Sequence, residues 1–128
     1  MKSLIIVMLG GGFGAGLRHG LNMAASRSPA LAGWPWNTFA ANVAGGLLMG
    51  VLIGWLTHSG RDSDHDLRLL LGVGLLGGFT TFSAFSMEMA QMVQRGEIWQ
   101  SAVYAMLSVG LALGAVFAGL AISKGVFA

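Results

Sequence analysis

The residues best suited to chemistry lie together in the third apolar segment of the chain, between Gly77 and Ser86. This stretch reads GGFTTFSAFS. Paired glycines followed by paired threonines are poor helix formers, so the pattern predicts a break in the helix from Gly77 to Thr81. In a bilayer, broken backbone persists only where protein buries it or where it lines a water-filled cavity.

A break of this kind would free backbone carbonyl groups, which are suitable ligands for a hard cation. It would also expose the ends of two half-helices, whose dipoles favour ions. If two copies of the chain met at a two-fold axis, their breaks could face each other and form one closed cation site. The alternative interpretation is a glycine kink that serves helix packing alone.

Aromatic and hydroxyl side chains alternate immediately after the predicted break. Phe82 and Phe85 are three residues apart and share a helix face, and each is followed by a serine, Ser83 or Ser86. A phenyl ring has a positive edge, so ring edges interleaved with hydroxyl and amide donors could hold a small anion. Asn42 in the second apolar segment could supply such a donor. The alternative is that both rings pack in the core or face lipid.

Charged residues are rare within the apolar segments, and each suggests a function because burying it in lipid is costly. Arg18 is the only internal cation, and it could attract an anion or bind carbonyl groups at a helix end. Glu88 is the only acid within a span, and it could face a vestibule or lie at an interface. Asp62, Asp64 and Asp66 lie between spans without the glycine and distal glutamate of a calcium loop, so a solvated turn is expected.

The elements that must position these residues are apolar helices. Of the 128 residues, 55% are hydrophobic and 9% are charged, against about 25% charged in an ordinary soluble domain. A spanning helix needs about 20 apolar residues, so four helices with short turns leave no room for a separate catalytic domain. The chain has no cysteine, which excludes disulfides and thiolate chemistry.

The apolar pattern predicts a single transmembrane domain, 1–128, with spans at about residues 3–25, 36–57, 67–94 and 98–123. Glycines recur four residues apart in several spans, as at Gly46, Gly50 and Gly54, and this spacing predicts close helix packing in lipid. The alternative for the glycines of the first span is a nucleotide-binding loop. It is disfavoured because no strand precedes them and the motif does not fit in register.

Basic residues indicate the orientation of the chain only weakly. Four would lie on the side of the two termini, namely Lys2, Arg61, Arg68 and Lys124. The other side would have two, Arg27 and Arg95, or three if the side chain of Arg18 extends to that side. Because orientation follows such an excess, a near-tie leaves either orientation, or both, open. Insertion both ways would permit an antiparallel homodimer.

Together these residues resemble the Fluc (CrcB) family of fluoride channels over nearly the whole chain. The most specific part is the stretch from Gly77 to Glu88, which is close to the family pattern G-G-x-[ST]-T-F-S-x-F-x-x-E. The second span supplies Thr38, Asn42 and Gly45 at the family's spacing. The first span supplies a glycine run that ends at Arg18.

The resemblance implies a fluoride-selective channel in a bacterial inner (plasma) membrane. It would be an antiparallel, dual-topology homodimer with two pores, each lined by both subunits. The implied pore residues are the ring-edge ligands Phe82 and Phe85, the donors Asn42 and Thr38, the hydroxyls of Ser83, Ser86 and Ser108, the vestibule residue Arg18 and the third-span acid Glu88. The backbone carbonyls of Gly77 and Thr80 would hold a structural sodium ion at the dimer two-fold.

Two positions depart from the family pattern. Asn37 stands where the family usually has glycine, and His19 follows Arg18 where an aromatic residue is common. These departures leave the start of the second span and the details of the vestibule open. Ser108 is the least specific assignment, because the fourth span has no sharp motif.

Three functional hypotheses follow, and none of them is an enzyme. The first is passive fluoride export, with fluoride, a second copy of the chain and membrane lipid as partners. The second is a small proton-coupled multidrug exporter, which would need a carboxylate in the first span, where this chain carries Arg18 instead. The third is a non-transporting membrane subunit. Nucleic acid is not expected as a partner because the basic residues are scattered singly.

Overall fold

The computed structural model describes residues 1–61 and 64–127, and this part of the chain contains helices and turns but no strand. Four of its helical segments are long and apolar enough to cross a membrane, namely Lys2–Ser26, Trp36–His58, His65–Gln94 and Ile98–Phe127. The predicted all-α class with four transmembrane helices is therefore confirmed. Asp62, one of the acids expected in a solvated turn, lies outside the described residues.

Three of the four spans are continuous α-helices. Helix α1 covers Lys2–Ser26, and a single 3-10 turn at Pro29–Leu31 leads towards α2, which covers Trp36–His58. The fourth span is one helix that reaches Phe127, beyond the end expected near residue 123. Apolar composition alone locates such helices well because each residue of a spanning helix satisfies its own backbone within the helix.

The third span is assembled from four consecutive pieces. They are α3 at His65–Leu67, a π-helix at Arg68–Leu76, α4 at Gly77–Phe79 and α5 at Ser83–Gln94. The fourth span, Ile98–Phe127, is accordingly α6. The predicted break in this span is confirmed, but its position differs, because the helix opens at residues 80–82 and the paired glycines before it remain helical.

The paired glycines serve close approach rather than the break itself. A Cβ atom at Gly78 would collide with the backbone carbonyl of Gly11 in α1. The chain leaves the helix one residue after α4, where Thr80 has φ −82° and ψ 162°. Local helix propensity could not distinguish these two roles, since glycine weakens a helix and permits tight packing at the same time.

The π-helix was not predicted, and it is where α1 packs most closely. A Cβ atom at Gly10 would lie 2.5 Å from the carbonyl oxygen of Leu70, and one at Gly14 would collide with the carbonyl of Leu75. In a π-helix each hydrogen bond joins residues five apart, against four apart in an α-helix, and such segments are frequently found at functional sites. Here it directly precedes α4 and the break, so it sets the position of both against α1.

Helices α2 and α6 pack through small residues on both sides. A Cβ atom at Gly46 would lie 2.7 Å from the carbonyl oxygen of Ala112, and one at Gly119 would lie 2.7 Å from the amide nitrogen of Val51. Further along, the hydroxyl of Ser123 donates a 2.8 Å hydrogen bond to the carbonyl of Val51. The close helix packing predicted from the glycine spacing is therefore found between α2 and α6.

Polar contacts connect the ends of the spans. Asn37 Nδ2 donates a 2.6 Å hydrogen bond to Asn22 Oδ1, which joins the end of α1 to the start of α2. At the other side of the bundle, Lys2 Nζ lies 2.6 Å from Asp66 Oδ2. The departure from glycine at position 37 therefore adds a bond between two helices.

The remaining turns are stabilised locally. Asp64 Oδ1 accepts a 3.1 Å hydrogen bond from the amide of Leu67 and caps the start of the third span. Between the third and fourth spans, Arg95 Nη2 lies 3.1 Å from Glu97 Oε2 in an exposed ion pair. The hydrogen bonds that Arg95 donates to Glu97 raise the pKa of Arg95.

Overpacking the contact between α2 and α6 should destabilise the protein. In Gly50→Val the new Cβ would lie 3.0 Å from the amide nitrogen of Leu120 and would collide with the carbonyl of Val116. Overpacking of this kind costs about 1–3 kcal/mol. We expect a lower unfolding temperature in detergent, measured by the loss of helical circular dichroism on heating.

Gly125→Val is the matched control, because a Cβ atom at Gly125 has nothing within 4 Å. The control should unfold at the temperature of the unmodified chain. Equal unfolding temperatures for Gly50→Val and Gly125→Val would show that close approach of α2 and α6 does not stabilise the fold.

Candidate ion-binding site

A cavity of about 460 Å³ lies beside the break in the third span, between α2 and α6. Six of the residues named from the sequence line it, and they come from three spans: Asn42, Gly77, Thr80, Phe82, Phe85 and Ser108. The fold thus gathers the predicted aromatic, amide and backbone groups at one place. The remaining predicted residues, Thr38, Ser83, Ser86, Arg18 and Glu88, lie outside its lining.

The side chain of Asn42 holds the broken backbone at two points. Its Oδ1 atom accepts a 2.8 Å hydrogen bond from the amide of Thr81, and its Nδ2 atom donates a 2.9 Å hydrogen bond to the carbonyl of the same residue. A primary amide carries two N–H donors. One of the two N–H groups of Asn42 is therefore left to serve the cavity that this residue lines.

The two threonine hydroxyls of the break have different roles. Thr80 Oγ1 donates a 2.9 Å hydrogen bond to the carbonyl of Leu76, within the preceding helix. Thr81 Oγ1 accepts a 3.1 Å hydrogen bond from the amide of Ala84, so it caps the start of α5. A Cβ atom at Gly45 of α2 would collide with the methyl group of Thr80, so this glycine makes room for the break.

Three aromatic rings form a row that runs from the cavity into the protein. The ring centroids of Phe82 and Phe85 are 5.7 Å apart with planes at 42°, and those of Phe85 and Tyr104 are 5.1 Å apart with planes at 57°. Phe85 and Tyr104 are buried, whereas Phe82 is 76% exposed. Tilted rings present edges to their neighbours, which is the geometry that a positive ring edge needs to contact an anion.

Glu88 is half-buried and binds two hydroxyl groups. Its Oε1 atom accepts a 2.5 Å hydrogen bond from Thr38 and its Oε2 atom accepts a 2.7 Å hydrogen bond from Tyr104. Thr38 is 3% exposed and Tyr104 is fully buried. Each carboxylate oxygen thus has a donor, which reduces the cost of placing this acid within a span.

Tyr104 is the functional-site residue that the sequence analysis missed. It is the only tyrosine in the chain and lies within the fourth span, where a phenol needs a hydrogen-bond partner when it is buried. That requirement was the available signal. The spacing of residues along one helix could not identify Glu88 as the partner, because the two belong to different spans.

The three predicted serines differ in their surroundings. Ser108 is buried and lines the cavity, and no group in the described part of the chain forms a hydrogen bond with its Oγ atom. Ser83 and Ser86 are exposed, and the Ser83 hydroxyl lies 3.4 Å from that of Thr81. Ser108 is therefore the serine with a free hydroxyl inside the cavity.

Arg18 reaches the broken span from α1. Its Nε atom donates a 3.3 Å hydrogen bond to the carbonyl of Gly78, in the last helical turn before the break. The side chain is half-buried. Of the two roles expected for this cation, the structure shows the bond to carbonyl groups at a helix end. His19 beside it is exposed.

The cavity suits an anion better than it suits a metal held by side chains. None of the described residues that line it is charged, and its polar groups include an amide, hydroxyls and backbone carbonyls. Within residues 1–61 and 64–127, no group of three or more histidine, aspartate or glutamate side chains could hold a metal ion. A cation at this place would need backbone oxygen as its ligand.

Comparisons with known proteins agree with this arrangement. A protein of Novosphingobium aromaticivorans is 53% identical over 98% of this chain and 99% of its own length. Proteins of Phenylobacterium zucineum and Hyphomonas neptunium are 50% and 47% identical, each over the full length of both chains. All three relatives carry the name fluoride-specific ion channel FluC.

The family model described as "CrcB-like protein, Camphor Resistance (CrcB)" matches residues 5–120. This match includes the second and third apolar helices whole, most of the first and fourth, the break and the cavity beside it. The protein is therefore a multi-pass membrane protein, and the chain belongs to the CrcB family.

Proposed function

We propose that this chain forms a fluoride-selective channel that releases fluoride passively across the membrane. The support is twofold: relatives of 47–53% identity are named fluoride-specific ion channels, and the cavity combines neutral donors with ring edges. The observation that carries the proposal is the lining itself, in which a free hydroxyl and tilted phenyl rings meet and no described residue is charged.

The path of the anion follows the aromatic row. Phe82 and Phe85 offer ring edges, and Asn42 and Ser108 offer donors from the facing helices. Fluoride is small and strongly hydrated, so compact donors at short range must replace its water. A larger halide could not approach the same donors as closely. Fluoride enters a cell as the neutral acid, dissociates near neutral pH and leaves as the anion, so no enzyme chemistry is required.

A second copy of the chain completes the pore. Phe82 is 76% exposed although it lines the cavity. The glycine faces of α1 and α6 are also open, because Cβ atoms at Gly12, Gly16, Gly110 and Gly114 would meet nothing within 4 Å. Faces of small residues let transmembrane helices pack closely, and an antiparallel partner would cover both the faces and the ring.

A structural sodium ion fits the broken span. Sodium is a hard cation and takes oxygen ligands, and the backbone carbonyls of Gly77 and Thr80 belong to residues that line the cavity on either side of the last helical turn. Held at the dimer two-fold by these carbonyls, the ion would supply positive charge between two anion pathways. None of the described residues that line the cavity has a carboxylate, so backbone oxygens are the ligands available to the ion.

The multidrug-exporter alternative has no support in the first span. Helix α1 contains no acid between Lys2 and Ser26, and the half-buried acid Glu88 lies in the third span, bound to two hydroxyls. A proton-coupled exporter needs a carboxylate that substrate and proton can reach in turn. The non-transporting alternative is separated from the channel by measuring flux.

Purified protein in liposomes should release fluoride and retain chloride. Vesicles loaded with both anions would be diluted into anion-free buffer, with valinomycin to dissipate the potential, and an ion-selective electrode would record each efflux. We expect rapid fluoride release, because the lining offers donors without fixed charge. Protein-free vesicles are the control. Absent fluoride efflux, or equal chloride efflux, would rule out a fluoride-selective channel.

Replacing the exposed ring of the cavity should slow this release. Phe82→Ile keeps an apolar side chain but removes the ring edge, and we expect fluoride efflux at least about tenfold slower, which corresponds to about 1.4 kcal/mol in the barrier. Phe117→Ile is the matched control, since Phe117 is exposed and lies outside the cavity lining. Unchanged efflux in Phe82→Ile would refute the ring-edge contact.

Dual topology can be tested with single cysteines, because the chain has none of its own. A cysteine placed next to Met1, and in a separate variant one next to Phe127, should each be labelled by an impermeant maleimide from both faces of the membrane. The near-tie in basic residues is the physical reason. Labelling of both variants from one face alone would exclude the antiparallel dimer, whatever the fluoride flux.

A further inference from the structure

Two side chains at the break take the backbone donors that a continuous helix would have used. In an α-helix each amide bonds to the carbonyl four residues earlier. The amide of Thr81 would bond to the carbonyl of Gly77, but it donates to Asn42 Oδ1 at 2.8 Å. The amide of Ala84 would bond to the carbonyl of Thr80, but it donates to Thr81 Oγ1 at 3.1 Å.

Two of the carbonyls that lose their helical donors are therefore those of Gly77 and Thr80. Both residues line the cavity. Of the two carbonyls between them, that of Gly78 is bound by Arg18 at 3.3 Å. The carbonyl of Leu76, just before them, receives both the amide and the hydroxyl of Thr80, at 3.0 and 2.9 Å. The carbonyls of Leu76 and Gly78 thus have donors at the break, whereas those of Gly77 and Thr80 have lost their helical amides to side chains.

We propose that Thr81 and Asn42 are positioning residues for the sodium ion, an inference that rests on the sodium site of the proposed function. Neither side chain needs to touch the ion. Thr81 keeps the amide of Ala84 away from the carbonyl of Thr80, and Asn42 keeps the amide of Thr81 away from the carbonyl of Gly77. A hard cation then takes the place of both helical donors.

The proposed role of Thr81 depends on its hydroxyl group, not on its methyl group. A hydroxyl oxygen accepts the amide of Ala84 as an N-terminal helix cap does. Without it, the amide of Ala84 would find the carbonyl of Thr80 as the next acceptor, and α5 would begin earlier in the chain. One ligand of the cation would then be consumed by the helix.

Asn42 also connects the proposed cation site to the proposed anion path. It lines the cavity, and both of its bonds to the break run through Thr81. A change in the cation site therefore moves the backbone to which this donor is attached. Asn42 serves two sites, however, so Thr81 is the residue on which the inference is tested.

Thr81→Val should weaken the effect of sodium on stability, because it keeps the shape of the side chain and removes the acceptor. Purified protein would be heated in detergent over a series of sodium chloride concentrations, with N-methylglucamine chloride holding the ionic strength constant. We expect the sodium concentration that gives half of the stabilisation to rise about tenfold, equivalent to about 1.4 kcal/mol. Thr81→Ser retains a hydroxyl and should keep the original midpoint.

Thr57→Val is the matched control, since Thr57 is an exposed threonine near the end of α2, and its sodium midpoint should not move. A purely structural role for Thr81 predicts a different result: Thr81→Val would unfold at lower temperature in both salts, with an unchanged midpoint, and that result would overturn the inference. Failure of Thr81→Val to fold at any sodium concentration would also contradict it, because more cation should compensate for a weakened site.

The sodium readout is independent of transport. If the unmodified protein carries fluoride but Thr81→Val keeps the original midpoint, the inference fails and the proposed channel stands. If the unmodified protein shows no stabilisation by sodium over N-methylglucamine, the inference and the sodium site fail together, while fluoride efflux still decides the channel. If no fluoride is released, the channel fails, and the midpoint still reports on the cation site.

Discussion

Backbone N–H and C=O groups within a bilayer have no water to bind, and this constraint governs the structure of the third span. A helix that opens at residues 80–82 must find partners for its freed groups outside its own backbone. Asn42 binds both the amide and the carbonyl of Thr81, Arg18 binds the carbonyl of Gly78, and the hydroxyl of Thr81 caps the next helix. Each of the neighbouring spans α1 and α2 therefore supplies a polar residue to the break, and this requirement explains why they carry polar residues at those depths.

The same constraint explains where the glycines lie. Arg18 can bond to Gly78 only if α1 approaches the third span closely, and a Cβ atom at Gly10, Gly14 or Gly78 would prevent this approach. On the other side, Gly45 accommodates Thr80, so that Asn42 on the same helix reaches Thr81. The small residues thus bring the polar donors within hydrogen-bond distance of the break. Close packing of the helices is therefore a condition for hydrogen-bonding the broken backbone.

Much of the fold could be predicted from residue types, because a spanning helix needs only length and apolar composition. The break was also predictable, since Gly77, Gly78, Thr80 and Thr81 all disfavour a helix. Its position was not, because whether a glycine pair bends or packs depends on the neighbouring helix, here Gly11 opposite Gly78. The π-helix depends in the same way on contacts between spans.

The cavity residues were predictable as a set, whereas the bond from Tyr104 to Glu88 joins two spans and depends on how those helices face each other. That bond matters for an anion path. A carboxylate beside the path would repel fluoride, and the field of a charge is strong where the dielectric constant is low. Glu88 lies outside the cavity lining, and both of its oxygens accept hydroxyl groups. Thr38 and Tyr104 therefore have two effects at once: they stabilise a half-buried acid, and they donate to it and not to the cavity. In the proposed channel, the donors left for fluoride would be the neutral groups of Asn42 and Ser108 and the edges of the phenyl rings, which would hold a small anion without a fixed charge to trap it.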